Sequence, residues 1–181
     1  MDKKTMKKVY VIPTGDEIND GTVLDLDSGE IMTQILKRYP QSEITRVAPI
    51  CDVQKSIIER LDKLSQENPS LIVLVGGSGG GHRHSESLGK DFTHSALVEF
   101  LDESFCREIY GKNGHLWSKL ICGKKSNTTI INVPGPFVEA QVAIKEFVAN
   151  FEDQSLEETV HQMALAVYSQ YPADKVQSIK Q

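Results

Sequence analysis

The chain has 181 residues, 39% of them hydrophobic and 25% charged, which is the composition of one folded domain with a sizeable core and excludes a disordered or low-complexity chain. A formal net charge of −5 excludes a sequence-independent electrostatic grip on nucleic acid, so a phosphate site has to rely on backbone amides, a metal or a local basic pocket. The three widely spaced cysteines, Cys51, Cys106 and Cys122, form no CxxC pair and read as reduced thiols; with no signal-like segment and no membrane-length apolar run, the expectation is a cytoplasmic protein without membrane contact.

Short β-branched runs alternate with longer amphipathic stretches, the pattern of β-α-β units that build a parallel sheet covered by helices on both faces. After an N-terminal tail of residues 1–7, Val9 to Pro13 is the first predicted strand, followed by a polar loop from Thr14 to about Ser28. Ile31, Ile35 and Leu36 mark the stripe of the next helix, and Glu43 to Val47 the second strand. Asp52 is placed at the opening of a helix with Ile57, Ile58, Leu61 and Leu64 at helical spacing, ended by Asn68-Pro69. Leu71 to Val75 is the third strand. It empties into Gly76-Gly77-Ser78-Gly79-Gly80-Gly81, and a helix carrying Ala96, Leu97, Phe100 and Leu101 follows, with Asp91, Thr93 or Ser95 as candidate caps.

The less regular segment from Cys106 to Lys125 is expected to hold a short hairpin, with His115 and Trp117 assigned no role. Thr128 to Val133 is the clearest late strand and empties into Pro134-Gly135-Pro136. Two helices close the domain: Val138 to Phe151, with Val142, Ile144, Phe147 and Val148 on its apolar face, and Ser155 to Tyr168, opened by the capping box Ser155-Leu156-Glu157-Glu158. The predicted architecture is one three-layer α/β/α sandwich with a mostly parallel sheet over residues 8–171 and a frayed C-terminal tail over 172–181.

In an open parallel sheet the loops after the strands share one rim, so Thr14 to Glu17, Asp52, the glycine loop and Pro134 to Phe137 are expected to converge. A glycine-rich turn lets backbone N–H groups approach an anion that side chains would hold off. Its spacing here is neither GxGxxG nor GxxxxGKS/T, which disfavours a nucleotide triphosphatase. His82-Arg83-His84, with His94, admits a transition-metal reading, although a polar loop meeting solvent or an anion is the more ordinary one, and Arg83 offers a planar fork to phosphate.

Thr14-Gly15-Asp16-Glu17-Ile18, Asp27, Asp52, Gly76-Gly77-Ser78-Gly79, Asp91-Phe92-Thr93 and Val133-Pro134-Gly135 occur in an order that resembles the molybdopterin-binding domain family of molybdenum cofactor biosynthesis. That family includes molybdopterin adenylyltransferases, molybdenum-insertion proteins and the N-terminal domain of competence-damage-inducible proteins. The likeness runs from about Val9 to Phe147. The chain departs from the family pattern in two places. The ungapped register puts His84 at the family's acidic position, and an insertion after the glycine loop brings Asp91 there instead. In the late loop the second proline is shifted, and Phe137 and Glu139 follow it.

The resemblance implies binding of molybdopterin or its adenylylated form, with Mg2+-dependent transfer of an adenylyl group from ATP. On that basis Asp52 and Asp91 are the candidate catalytic and metal-binding residues. Glu17, Gly76, Gly77, Ser78, Gly79, Gly80, Thr93, Pro134, Gly135 and Pro136 are the candidate ligand-binding residues. It also implies a homo-oligomer, commonly a trimer. Metal-dependent hydrolysis of ADP-ribose and a non-catalytic pterin- or nucleotide-binding module stand beside it as alternatives. Each acidic position has an ordinary reading too: Asp52 and Asp91 as helix caps, Asp16 and Glu17 as solvated loop residues.

Overall fold

The parallel half of the sheet takes its order from its most apolar strand. In the computed structural model, which describes residues 6–78 and 92–181, the elements are β1 (Lys8–Pro13), α1 (Asp16–Asn19), α2 (Asp27–Arg38), β2 (Glu43–Arg46), α3 (Gln54–Ser65), β3 (Leu71–Val75), α4 (Thr93–Phe100), β4 (Glu103–Gly111), β5 (Leu116–Lys125), β6 (Thr128–Val133), α5 (Phe137–Asn150), α6 (Leu156–Tyr168) and β7 (Val176–Lys180). They form one sheet in the order β2-β1-β3-β6-β5-β4-β7. The first four strands are mutually parallel and the remaining pairs antiparallel, so five strands run one way and β5 and β7 run the other.

All five residues of β3 are buried, as a strand covered on both faces requires. Its alternation divides two cores. Leu71, Val73 and Val75 join Val9, Val11, Ile131 and Val133 under α2, α5 and α6. Ile72 and Leu74 join Tyr10, Ile12 and Ile130 under α3 and α4. Helices on both sides of a mixed sheet make the three-layer α/β/α sandwich.

The helices follow their stripes. Ile31 and Ile35 of α2 are fully buried, whereas Leu36, one residue round from Ile35, is 41% exposed and falls off the stripe. In α6, Glu158 N donates to Ser155 Oγ and Ser155 N donates to Glu158 Oε2, the reciprocal bonds that the sequence announces. No helix among the described residues is long and apolar enough to cross a membrane. Cys51, Cys106 and Cys122 are all unpaired.

Four local expectations need correction. The segment from Cys106 to Lys125 belongs to a long hairpin of nine- and ten-residue strands, because β4 and β5 are paired along most of their length. Residues from Pro172 are not frayed: Val176 to Lys180 add an edge strand antiparallel to β4. Asp52 is not a helix cap, since Val53 is extended and α3 begins only at Gln54. The cap of α4 is Phe92, which lacks an accepting side chain; Thr93 lies inside the helix, Ser95 Oγ donates back to Phe92 O, and Asp91 lies outside the described residues.

One side chain controls where the sheet opens. The β5–β6 ladder stops at Cys122 opposite Ile131, and Asn132, fully buried, continues it with its amide: Ile121 N donates to Asn132 Oδ1 at 2.6 Å and Asn132 Nδ2 donates to Lys119 O at 2.9 Å. Lys119 N–H donates instead to Ser78 O at 2.9 Å, so the turn after β3 is fastened to β5. Replacing Asn132 by Ala strips partners from one buried and one partly buried backbone group and is expected to cost roughly 1–3 kcal/mol, read as a lower urea midpoint at unchanged m-value.

Candidate functional site

The chain leaves β1 towards α2 on one face of the sheet and leaves β3 towards α4 on the other, which makes the β1/β3 boundary a topological switch point where a crevice opens beyond the strand ends. Three strand ends are laced together there. Thr14 N and Oγ1 both donate to Val75 O, at 2.8 and 3.0 Å, and Gly76 N donates to Val133 O at 3.0 Å. Gly76 and Gly77 have φ of +93° and +60°. A Cβ on Gly76 would stand 2.9 Å from Thr14 O and one on Gly77 would overlap Thr93 Oγ1, so only glycine fits this turn.

Beyond these ends lies a cavity of about 870 Å³. It gathers Glu17 of α1 with Asp52, Gly76, Gly77, Ser78, Gly135 and Pro136 from three separate loops. Thr93 stands beneath the turn rather than on the cavity wall, its Oγ1 3.4 Å from Thr14 Oγ1, and Pro134 is likewise outside the lining. Gly79, Gly80 and Asp91 lie outside the described residues, as do His82, Arg83 and His84.

Several lining residues carry no role in the sequence reading. Val23, Leu24 and Leu26 are large apolar residues exposed within the polar loop, an irregularity legible in the sequence. Phe137 stands at the rim as its place after β6 implies, and Trp117, Tyr171 and Lys175 complete the wall; the convergence of these three has no local sequence signal because it depends on β5 and the α6–β7 connection.

The charge of the cavity is strongly acidic. Glu17, Asp25, Asp27, Asp52 and Glu139 line it, against Lys175 as the one basic lining residue among those described. Burial would raise the Asp25 carboxyl, but the Ser28 N–H bond at 3.0 Å and the Arg46 guanidinium at 2.6 Å together hold it below its ordinary value. Asp27 has no such support: burial first, and the Asp25 charge second, push it up to about 6, and its Oδ1 has no hydrogen-bond partner. Glu139 is also raised by burial, against a lowering contribution from the Tyr171 hydroxyl.

His94, at the start of α4, is held down at about 4 chiefly by burial and next by the Lys119 ammonium, so it is neutral at pH 7. Among the described residues no three His, Cys, Asp or Glu side chains come together as a metal site. Asp91, which the resemblance pairs with Asp52 as a metal ligand, lies outside them. Asp52 is buried, and its N–H donates to Asp16 Oδ1 at 3.2 Å.

A switch-point crevice, a glycine turn and an acidic and aromatic cavity define an α/β/α domain with a pocket of small-molecule size at the sheet rim. The profile of a family described as "Probable molybdopterin binding domain" matches residues 10–153, most of the chain, and the chain belongs to this family of molybdenum cofactor biosynthesis. Its fold is shared with the molybdopterin biosynthesis enzyme MoaB of Thermus thermophilus, at 18% identity over 90% of this chain and 97% of that one with a TM-score of 0.64. CinA of Thermoplasma acidophilum, described as of unknown function, aligns at 16% identity over 83% and 98% of the two chains with a TM-score of 0.61. The Mog protein of Mycobacterium ulcerans aligns at 19% identity over 84% and 99% with a TM-score of 0.58. No curated protein matches the chain in sequence.

Asp27 gives a pH signature. A carboxyl raised to about 6 keeps its proton in the folded state after the unfolded chain has lost it, so its contribution to stability declines as pH rises from about 4 to 6 and is fully unfavourable above that. Asp27→Asn is expected to be more stable than wild type at pH 7, with the difference vanishing near pH 4, as measured by thermal midpoints across that range.

Proposed function

We propose that the rim cavity binds molybdopterin or its adenylylated form, and that the chain acts in the cytoplasm as a molybdopterin adenylyltransferase. One observation carries the reading: in a member of this family, the turn at Gly76-Gly77-Ser78, whose two glycines present bare backbone, opens into the same cavity as Glu17 and Asp52. An ordered, elongated ligand with a phosphate at one end and a planar ring at the other suits a cavity that is glycine-lined in one part and aromatic in another.

In the transfer, an oxygen of the pterin's terminal phosphate attacks the α-phosphorus of ATP; the new P–O bond forms as the bond to the β-phosphate bridge breaks, and pyrophosphate leaves. Two anionic substrates in a carboxylate-rich cavity repel each other and the wall, so their charge has to be neutralised before they can meet. Mg2+ enters as part of the nucleotide substrate. The role of the protein is to hold the pterin phosphate at the glycine turn and to orient the nucleotide with Asp52 and Glu17. Self-association as a trimer belongs to the same reading and is checked by sedimentation of the purified protein.

Incubation with ATP, Mg2+ and molybdopterin is expected to release pyrophosphate, and Asp52→Asn to slow release by about 10²-fold while retaining pterin binding. Tight pterin binding without release by the wild type would leave a non-catalytic binding module, and hydrolysis of ADP-ribose would assign a pyrophosphatase instead.

A further inference from the structure

The cavity is completed by a segment outside the family match, which ends at residue 153. Because β7 runs antiparallel to β4 and begins at Val176 opposite Gly111, the connection from α6 has to travel along the rim where the site lies. It is pinned there: Lys175 N and Val176 N both donate to Pro172 O, at 2.9 and 3.1 Å, and Lys112 N donates to Lys175 O at 2.8 Å. Tyr171, Pro172 and Lys175 consequently line the cavity.

Tyr171 meets Trp117 edge to face, with ring centroids 4.8 Å apart and planes at 76°. The Trp117 ring lies close on the backbone of Gly111, where an added Cβ would stand 2.5 Å from Cε2 and Nε1, so its position is set by β4 and leaves little freedom. The Tyr171 hydroxyl donates to Glu139 Oε2 at 2.8 Å, tying the connection to the first turn of α5. Two rings at nearly a right angle with a carboxylate beside them, all lining the cavity, form a corner into which a planar guest fits flat on one ring and edge-on to the other.

The geometry points to this corner of Trp117, Tyr171 and Glu139 as the subsite for the ligand's fused heteroaromatic ring, with Tyr171 and Glu139 selecting a 2-amino-4-oxo ring over adenine. The inference rests on the pterin-binding reading. A 2-amino-4-oxo pyrimidine edge presents two adjacent N–H donors, which a carboxylate can accept as a pair. The corresponding edge of adenine presents a donor beside an acceptor, and that acceptor meets the carboxylate with repulsion.

Trp117 is the single tryptophan of the chain, so its emission reports a ligand bound within the cavity, and the Tyr171 and Glu139 variants place that ligand at this corner. Titration of the full chain with 6-hydroxymethylpterin is expected to quench that emission with the same Kd that calorimetry gives, and adenosine monophosphate to quench it weakly. Tyr171→Ala is expected to weaken pterin binding about tenfold. Glu139→Gln keeps an acceptor for the Tyr171 hydroxyl and is expected to weaken pterin binding about tenfold while leaving the nucleotide unaffected. Calorimetric pterin binding with unchanged Trp117 emission and full affinity in Tyr171→Ala would overturn the assignment and leave the pterin reading intact. Stronger quenching by the nucleotide than by the pterin would likewise overturn it, and a lack of pterin binding by any measure would overturn both.

Discussion

The site depends on a strand that stops pairing. Beyond Cys122 the backbone of β5 leaves β6, and the cost of exposing its polar groups in the interior is met by the amide of Asn132 and the carbonyl of Ser78. That departure makes room for the turn after β3, fixes the height of the turn against the sheet, and carries Trp117 to the rim instead of into a closed ladder. Without it the glycine turn would lose the Lys119 N–H bond to Ser78 O that anchors its far side.

Parts of this arrangement were legible in the sequence because their causes are local. β3 and β6 stand where continuous apolar runs placed them, and Ser155 and Glu158 announced the start of α6 three residues apart. The gathering of Glu17, Asp52 and the glycine turn at one rim follows from parallel topology, which the alternation of strand and helix implied. What was not legible depends on pairing across long stretches of chain. Val176 to Lys180 reads as a polar tail and becomes a strand only because β4 offers it an edge. Asp52 reads as a cap, yet the turn from Cys51 to Val53 keeps it outside the helix. Trp117 takes a place in the cavity only when the β4–β5 hairpin brings Gly111 beneath its ring.

The electrostatic pattern gives the cavity a division of labour. Asp25 is supported by an N–H and a guanidinium and is charged over most of the pH scale, whereas Asp27 and Glu139 are carboxyls whose ordinary hydration burial has taken away. Groups of the second kind gain most from a partner that brings positive charge or N–H donors, because the partner relieves a cost already present in the empty protein. The readiness of these two carboxyls to accept N–H donors or positive charge therefore follows from burial as much as from the number of acids.

The position of β7 also orders events in time. The residues that wall the cavity on its outer side, Tyr171, Pro172 and Lys175, are joined to the sheet through β7, which follows the sheet's other six strands along the chain, while Thr14 and its neighbours follow β1. A nascent chain growing from its N-terminus can assemble β1, β3 and β6 around an open trough, and only the arrival of Val176 beside Gly111 turns that trough into an enclosure. The enclosure is in this sense a late product of folding, withheld until the far edge of the sheet is sewn down.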